Sequence, residues 1–228
     1  IFSVYEEAIA ERAEQAKHKP AALNEFLCKT LNIYVSANSA WVDRGYWDDP
    51  KCSNVANLGK EPEAVFIGFD LAATRDLNAV CTLKRYADDE FDAEFKFFLP
   101  EDGLALVPKH YSDIFRVAVN SGILHITEGN VMDDREISEY IIAQAAKYDV
   151  KEIGFDAYNA ASLVARLHDA GLPVKKVGQG MAVLSNPSKH VEKLILNHAV
   201  KHDGNPFVGW QLGNCEVYED VNGNVKVR

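Results

Sequence analysis

The same four residues, Ile-Gly-Phe-Asp, occur twice in this chain, at residues 67–70 and 153–156. Each copy is a short apolar run that stops on a carboxylate, a pattern typical of a buried strand. In α/β sheets, ligands collect at the carboxyl ends of the strands. The repeat therefore predicts two strands that bring Asp70 and Asp156 to one edge of a sheet, where their carboxylates would form a site for divalent cations.

The composition is that of a globular chain with an acidic surface. The 228 residues are 47% hydrophobic, and the formal net charge is −10. The sequence contains no run of about 18 apolar residues, so no membrane span is predicted. The N-terminus lacks the basic and apolar regions of a signal peptide. The four cysteines are scattered without a C-x-x-C pair, so no zinc site is predicted. Such acidity does not favour DNA binding, but a site that holds Mg²⁺ is itself acidic, so DNA is not excluded.

The apolar pattern changes along the chain. A helical leader is predicted over 1–62, with helices at 2–17 and 21–35. Three antiparallel strands follow, and alternation in the third predicts one covered face. The predicted elements are strands at 65–71, 78–86 and 91–99, a partly helical 102–120, a strand at 123–127, a helix from Asp133, a strand at 151–156, a helix at 159–170, a strand at 173–177, a helix at 185–201 and a hairpin at 214–227. Three antiparallel strands followed by β-α-β-α predict an α/β, ribonuclease H-like fold with a mixed sheet.

Each candidate ligand has a structural alternative. Asp76 lies six residues after Asp70 and could return to the same ion, or it could be a solvated loop acid. Asp156 could instead cap the following helix, unless Asn159 takes that role. Two close carboxylates repel each other unless a cation lies between them, which favours a Mg²⁺ or Mn²⁺ site.

A basic segment lies near the C-terminal end of the chain. Between residues 175 and 203 there are five lysines against two acids. Ser185 or Asn186 is predicted to cap the helix that carries Lys189 and Lys193. These two lysines are candidates for contacts to a nucleic-acid backbone, with a solvated helix face as the alternative.

Taken together, these motifs resemble the nuclease domain of the large terminase subunit of tailed bacteriophages. The likeness spans nearly the whole chain, and the order and spacing of the segments make it specific. The matching segments are 69–80, 155–159, 177–180 with 184–189, 204–206 leading to Trp210 and Asn214, the hairpin at 220–226, and 24–27 and 39–41 in the leader.

The resemblance implies two-metal cleavage of double-stranded DNA during genome packaging, with two Mg²⁺ or Mn²⁺ ions. It assigns Asp70 and Asp156 to the metal site, and Asp76 as in some members. It also implies a nuclease domain at 63–228, with 1–62 linking it to an ATPase domain of the same polypeptide. The implied partners are the portal protein and the small terminase subunit, in the host cytoplasm and without a membrane.

Departures from the family pattern leave other functions open. The family's third acid lies on a helix after the hairpin, which we expect beyond Arg228, and Asp220 is predicted to shape the hairpin turn instead. A non-catalytic module that docks on DNA or on the portal is one alternative. An actin-like ATPase or kinase is another, but its second phosphate loop needs a D-x-G sequence, and residues 156–158 lack the glycine.

Overall fold

The computed structural model describes residues 9–10, 13–14, 40–53, 60–72 and 74–227. Apart from residues 9–10 and 13–14, which are helical, the two predicted leader helices lie outside these described residues. Within the described ranges, none of the helices combines the length and the apolar character needed to cross a membrane.

A mixed seven-stranded sheet forms the centre of the structure. Its order is β4-β3-β2-β1-β5-β6, and β7 pairs with β3. The β1–β2 and β2–β3 pairs are antiparallel and the others are parallel, which confirms the predicted meander and the change that follows it. The strands are β1 (Ala64–Asp70), β2 (Asn78–Arg85), β3 (Phe91–Pro100), β4 (Leu124–Thr127), β5 (Val150–Phe155), β6 (Val174–Lys176) and β7 (Val200–Lys201).

Helices cover both faces of this sheet, and a separate hairpin follows the last of them. The described helices are α1 (Arg44–Trp47), α2 (Glu101–Ala105), α3 (Ser112–Asn120), α4 (Asp134–Ala145), α5 (Ala161–Asp169), α6 (Met181–Leu196) and α7 (Pro206–Gly213). The hairpin strands are β8 (Val217–Glu219) and β9 (Val225–Val227).

Alternate residues of the strands build two hydrophobic cores, one on each face. On one face, Ile67 and Ile153 pack with Ile137 of α4 and Leu163 of α5. On the other, residues of β3 pack with α3 and α7, and the ring of Phe97 meets that of Phe207 edge-on at 5.1 Å. The prediction that the third strand has one covered face is therefore wrong. Because the strand lies inside a sheet with helices on both sides, both of its faces are largely buried.

Helix α6 begins earlier than predicted. Its first residue is Met181 and its N-cap is Gly180, so neither Ser185 nor Asn186 is the cap. Ser185 is instead buried inside the helix, where its Oγ accepts a hydrogen bond from the backbone N–H of Val225 at 3.1 Å. Pro187 also lies within the helix, which misleads a search for the start because proline is usual in the first turn. The sequence did not predict β7 and α7.

The hairpin forms where it was predicted. Asn222-Gly223 is a sequence typical of a type I′ turn, but the turn here is of another type. A type I′ turn needs positive φ at both central residues, and only Gly223, with φ 77°, has it, while Asn222 does not. The Asp220 carboxylate accepts hydrogen bonds from the backbone N–H groups of Asn222 and Asn224, and the Asp220 carbonyl accepts one from Gly223 at 3.0 Å. Asp220 therefore shapes the turn, as predicted.

Candidate metal centre

Asp70 and Asp156 stand at the same level on neighbouring strands. β1 and β5 run parallel, with Gly68 opposite Gly154 and Phe69 opposite Phe155. Asp70 ends β1, and Asp156 follows β5 directly. Neighbouring strands lie about 4.8 Å apart, so the next position along this register places the two acids side by side at one sheet edge. The structure thus brings together the two acids of the repeat. Their role as metal ligands remains a prediction.

The repeat also explains why the sheet face beside the acids is open. Because side chains alternate along a strand, Ile and Phe enter the core under α4 and α5, while Gly and Asp lie on the opposite face. A Cβ atom built on Gly68 would meet nothing within 4 Å, and one built on Gly154 would meet only the Val177 side chain at 3.2 Å and the Ile67 carbonyl oxygen at 4.0 Å. Gly68 therefore leaves room for a ligand next to the carboxylates, whereas Val177 covers the space beside Gly154.

The carboxylate of Asp156 is oriented by its own backbone turn. The N–H of Tyr158 donates to Asp156 Oδ1 at 3.2 Å. The N-cap of α5 is Ala160, without a side-chain capping bond, so neither Asp156 nor Asn159 caps this helix. Asn159 instead has φ 55°, a left-handed conformation in the connection before the helix. Asp156 is therefore not used as a helix cap.

The loop after Asp70 is fixed by a buried amide that the sequence alone did not point to. Asn78, the first residue of β2, is fully buried. Its Oδ1 accepts from the N–H of Ala72 at 2.8 Å, and its Nδ2 donates to the carbonyl of Asp76 at 3.1 Å. The available signal was an asparagine at the start of an otherwise apolar strand. The Asp76 side chain is exposed in this loop, and its metal role remains a prediction.

The two candidate lysines lie on α6, and one of them holds the hairpin. Lys189 Nζ donates to the carbonyl of Gly223 at 2.7 Å. Lys193 is exposed one turn further along the helix. A third lysine, Lys226, donates from β9 to the carbonyl of Gln179 at 2.9 Å. The hairpin is therefore tied to the segment after β6, and contacts of Lys189 and Lys193 with nucleic acid remain predictions.

A cavity of about 670 Å³ lies beside the acids. Asp70, Asp156 and Gln179 line it together with apolar side chains of β2, β3, α6 and α7. Burial raises the pKa of the Cys81 thiol, also in the lining, to about 12, so this thiol stays neutral and does not compete for a cation. Across the part of the chain that the structure describes, no cluster of three or more His, Cys, Asp or Glu residues could hold a metal. Asp70 and Asp156 are the two acids in the cavity lining, and they are the candidate centre.

Comparison with known proteins identifies a family and a relative of this chain. The sequence profile of the family "Terminase large subunit, endonuclease domain" matches residues 3–228. Protein YmfN of Escherichia coli K12 is 30% identical over 230 residues, covering 97% of this chain and 50% of YmfN.

Two solved structures share the fold, which confirms the predicted ribonuclease H-like architecture. The large terminase of bacteriophage HK97 superposes with a TM-score of 0.73 at 25% identity, covering 97% of this chain and 46% of that chain. The large terminase nuclease of thermophilic phage G20c, crystallised with bound magnesium, gives a TM-score of 0.52 at 11% identity, covering 84% of this chain and 88% of that one.

The chain spans about half the length of YmfN and of the HK97 large terminase. The profile match covers almost the whole sequence, including β1, β5 and the paired acids at their carboxyl ends. The chain belongs to the terminase large subunit endonuclease-domain family.

Proposed function

We propose that this chain is a metal-dependent endonuclease that hydrolyses phosphodiester bonds of double-stranded DNA. The observation that carries the proposal is the placement of Asp70 and Asp156 on one face of two neighbouring parallel strands, in register, beside the open space at Gly68. Membership of the family supplies the reaction class.

The donor set fits a hard divalent cation. Both candidate ligands are carboxylates, and Asp70 is exposed while Asp156 is partly buried. Two like charges side by side are unfavourable unless a cation lies between them, and Mg²⁺ and Mn²⁺ take oxygen ligands. The magnesium bound in the G20c nuclease structure is consistent with this choice.

The two acids have different tasks in this proposal. Asp70 would be a ligand of the metal ion that the two carboxylates share. Asp156, whose carboxylate is oriented by the N–H of Tyr158, would complete the coordination shell of one ion. Two bound ions supply activation of the attacking water and stabilisation of the leaving oxygen. Asp76 is a further candidate ligand, and Lys189 and Lys193 are candidate phosphate contacts.

The role of the whole protein is a broader proposal, because the chain spans about half of its relatives. We infer that the nuclease cuts concatemeric viral DNA in the host cytoplasm during packaging. An ATPase domain in the same polypeptide, a portal protein and a small terminase subunit would be its partners.

Cleavage of plasmid DNA in the presence of Mn²⁺ tests the nuclease assignment. We expect the 228-residue chain to nick and linearise the plasmid, and we expect Asp70→Ala and Asp156→Ala each to lower the rate at least about a hundredfold. Asp169→Ala is the matched control, because this exposed acid lies at the end of α5 remote from the sheet edge. Undiminished cutting by Asp70→Ala would refute its catalytic role.

Calorimetric titration with Mn²⁺ separates the metal site from the chemistry. We expect both alanine variants to lose Mn²⁺ affinity while Asp169→Ala retains it. A chain that binds Mn²⁺ at these acids and binds DNA but never cuts it would instead support the non-catalytic docking module.

A further inference from the structure

The loop between β1 and β2, residues 71–77, carries an exposed arginine five residues after Asp70. Within the described part of the chain, Arg75 has no carboxylate within 4.0 Å of its guanidinium, whereas every other described arginine has one. Those pairs are Arg44–Asp48, Arg85–Glu63, Arg116–Asp113, Arg135–Asp133 and Arg166–Asp134. The arginine nearest in sequence to the paired acids is thus the one left available to an outside anion.

The backbone that carries Arg75 is held from two sides. Asn78 binds the N–H of Ala72 and the carbonyl of Asp76, so it joins the beginning and the end of the loop. On another side, the carbonyl oxygen of Arg75 lies against Gly103 of α2, where a Cβ atom would come within 2.5 Å of it. The described residues of this connection, 71–72 and 74–77, are therefore held in place, and fixing them on binding would cost little conformational entropy.

We propose that Arg75 binds a backbone phosphate of the DNA strand that is cut, and that Asn78 is the residue that positions it; this inference rests on the proposed nuclease function. A chain with a net charge of −10 and two acids at its centre repels DNA unless a cation lies close by. A guanidinium offers parallel N–H donors that match the oxygens of a phosphate. Arg75 supplies that charge from the loop next to Asp70.

The role of Arg75 can be tested by measuring binding to a fluorescein-labelled DNA duplex. Fluorescence anisotropy would be recorded in EDTA at salt concentrations from about 50 to 200 mM, the range over which phosphate contacts dominate the salt dependence. We expect Arg75→Ala to bind about tenfold more weakly and to lower the salt slope by about one phosphate contact. Arg75→Lys should restore most of the slope but not all of the affinity, because lysine keeps the charge and loses the fork of donors.

Arg116→Ala is the matched control, because it removes the same charge from an exposed position on α3. We expect it to leave both affinity and salt slope unchanged. An Arg75→Ala variant that also keeps the affinity and slope of the unaltered chain would overturn the proposal.

A double-mutant cycle tests the positioning role of Asn78. We expect Asn78→Ala to weaken duplex binding when Arg75 is present and to weaken it no further in the Arg75→Ala background. Gly103→Ala perturbs the loop from the other side and provides a second variant if Asn78→Ala fails to fold. Equal losses in both backgrounds would assign Asn78 to the fold alone.

The outcomes separate this inference from the proposed function. Mn²⁺ affinity should be the same in Arg75→Ala and in the unaltered chain, since Arg75 is not one of the proposed metal ligands. An unaltered chain that neither binds nor cuts duplex DNA would overturn the nuclease proposal, and the inference with it. An unaltered chain that cuts DNA while Arg75→Ala cuts and binds equally well would overturn the inference alone.

Discussion

Single side chains fix the position of several loops in this protein, and His202 is a deeply buried ionisable example. The imidazole is 1% exposed and stacks on the indole of Trp47 at 4.0 Å. Its Nε2 donates to the Trp47 carbonyl at 2.9 Å, and its Nδ1 accepts from the N–H of Gly204 at 3.1 Å. This arrangement uses one nitrogen as donor and the other as acceptor, which only the neutral ring provides.

Stability should therefore fall as His202 becomes protonated in the unfolded chain. Burial holds the pKa of His202 below its usual value, although the Trp47 carbonyl and nearby carboxylates favour the charged ring. Above the unfolded pKa of about 6.5 both states are neutral and this contribution is fully present. As the pH falls below that value, the unfolded state takes up a proton first, and the contribution is lost down to the lowered folded pKa.

We expect urea unfolding to show a smaller free energy of unfolding at pH 5.5 than at pH 7.5, with a shallower pH dependence in His202→Gln. The glutamine variant should be less stable at pH 7.5, because its amide cannot replace the stacked ring. Identical pH profiles for the two proteins would show that another group causes the change.

At the scale of secondary-structure elements, the β8–β9 hairpin is held by hydrogen bonds inside its turn and by hydrogen bonds to α6. Asp220 accepts three hydrogen bonds inside the turn, two from backbone N–H groups and one from the Asn224 side chain. These bonds hold the pKa of Asp220 below its usual value. Ser185 and Lys189 then attach β9 and the turn to α6. The turn thus determines where the hairpin meets the helix.

Asp220→Ala should loosen the hairpin without unfolding the protein. We expect faster hydrogen exchange at the amides of residues 217–227 and unchanged protection in β1 and β5, because the lost bonds are local to the turn. Glu219→Ala is the control, since it removes a carboxylate from the same hairpin outside the turn. Unchanged exchange in the hairpin of Asp220→Ala would contradict this account of the turn.

At the scale of the whole molecule, residues 40–53 are part of the core next to the sheet. The indole of Trp47 is 5% exposed, and besides stacking on His202 it meets the ring of Phe95 edge-on at 6.3 Å. The N–H of Trp41 donates to the carbonyl of Cys215 at 3.0 Å, and the N–H of His202 donates to that of Cys52 at 3.1 Å. This segment joins β3, α7 and the chain after β7, although it precedes the first strand by more than ten residues.

Truncating Trp47 should therefore destabilise the entire domain. We expect Trp47→Ala to lower the free energy of unfolding by about 3–5 kcal/mol, as for other large core aromatics. Tyr46→Ala, at the exposed neighbouring position of α1, should change it by less than about 1 kcal/mol. Denaturant unfolding measures both. Equal effects of the two substitutions would show that α1 contributes helix formation rather than core packing.

The two strands of the repeat illustrate what local sequence can determine. Apolar runs indicate buried strands, so β1, β2, β3 and β5 and the paired acids at their edge could be predicted. The alternation in β3 did not show that both of its faces are buried. The sequence signals for the start and end of a helix were less reliable where a polar residue binds another element instead of capping the helix. Ser185 resembles a helix cap but binds β9, and α7 is too uniformly apolar to show a helical stripe.

Local sequence was enough to predict the strand pattern, the meander, the turn-forming role of Asp220 and the two carboxylates at the ends of matching strands. Those features depend on side-chain alternation and on hydrogen bonds between near neighbours in the chain. Three features became visible only in the folded chain: β1 lies beside β5 in register, Asn78 and Gly103 hold the backbone around Arg75, and α1 packs near β3. These depend on contacts between distant segments, whose pairing is selected by the burial of both faces of one sheet and not by any local pattern.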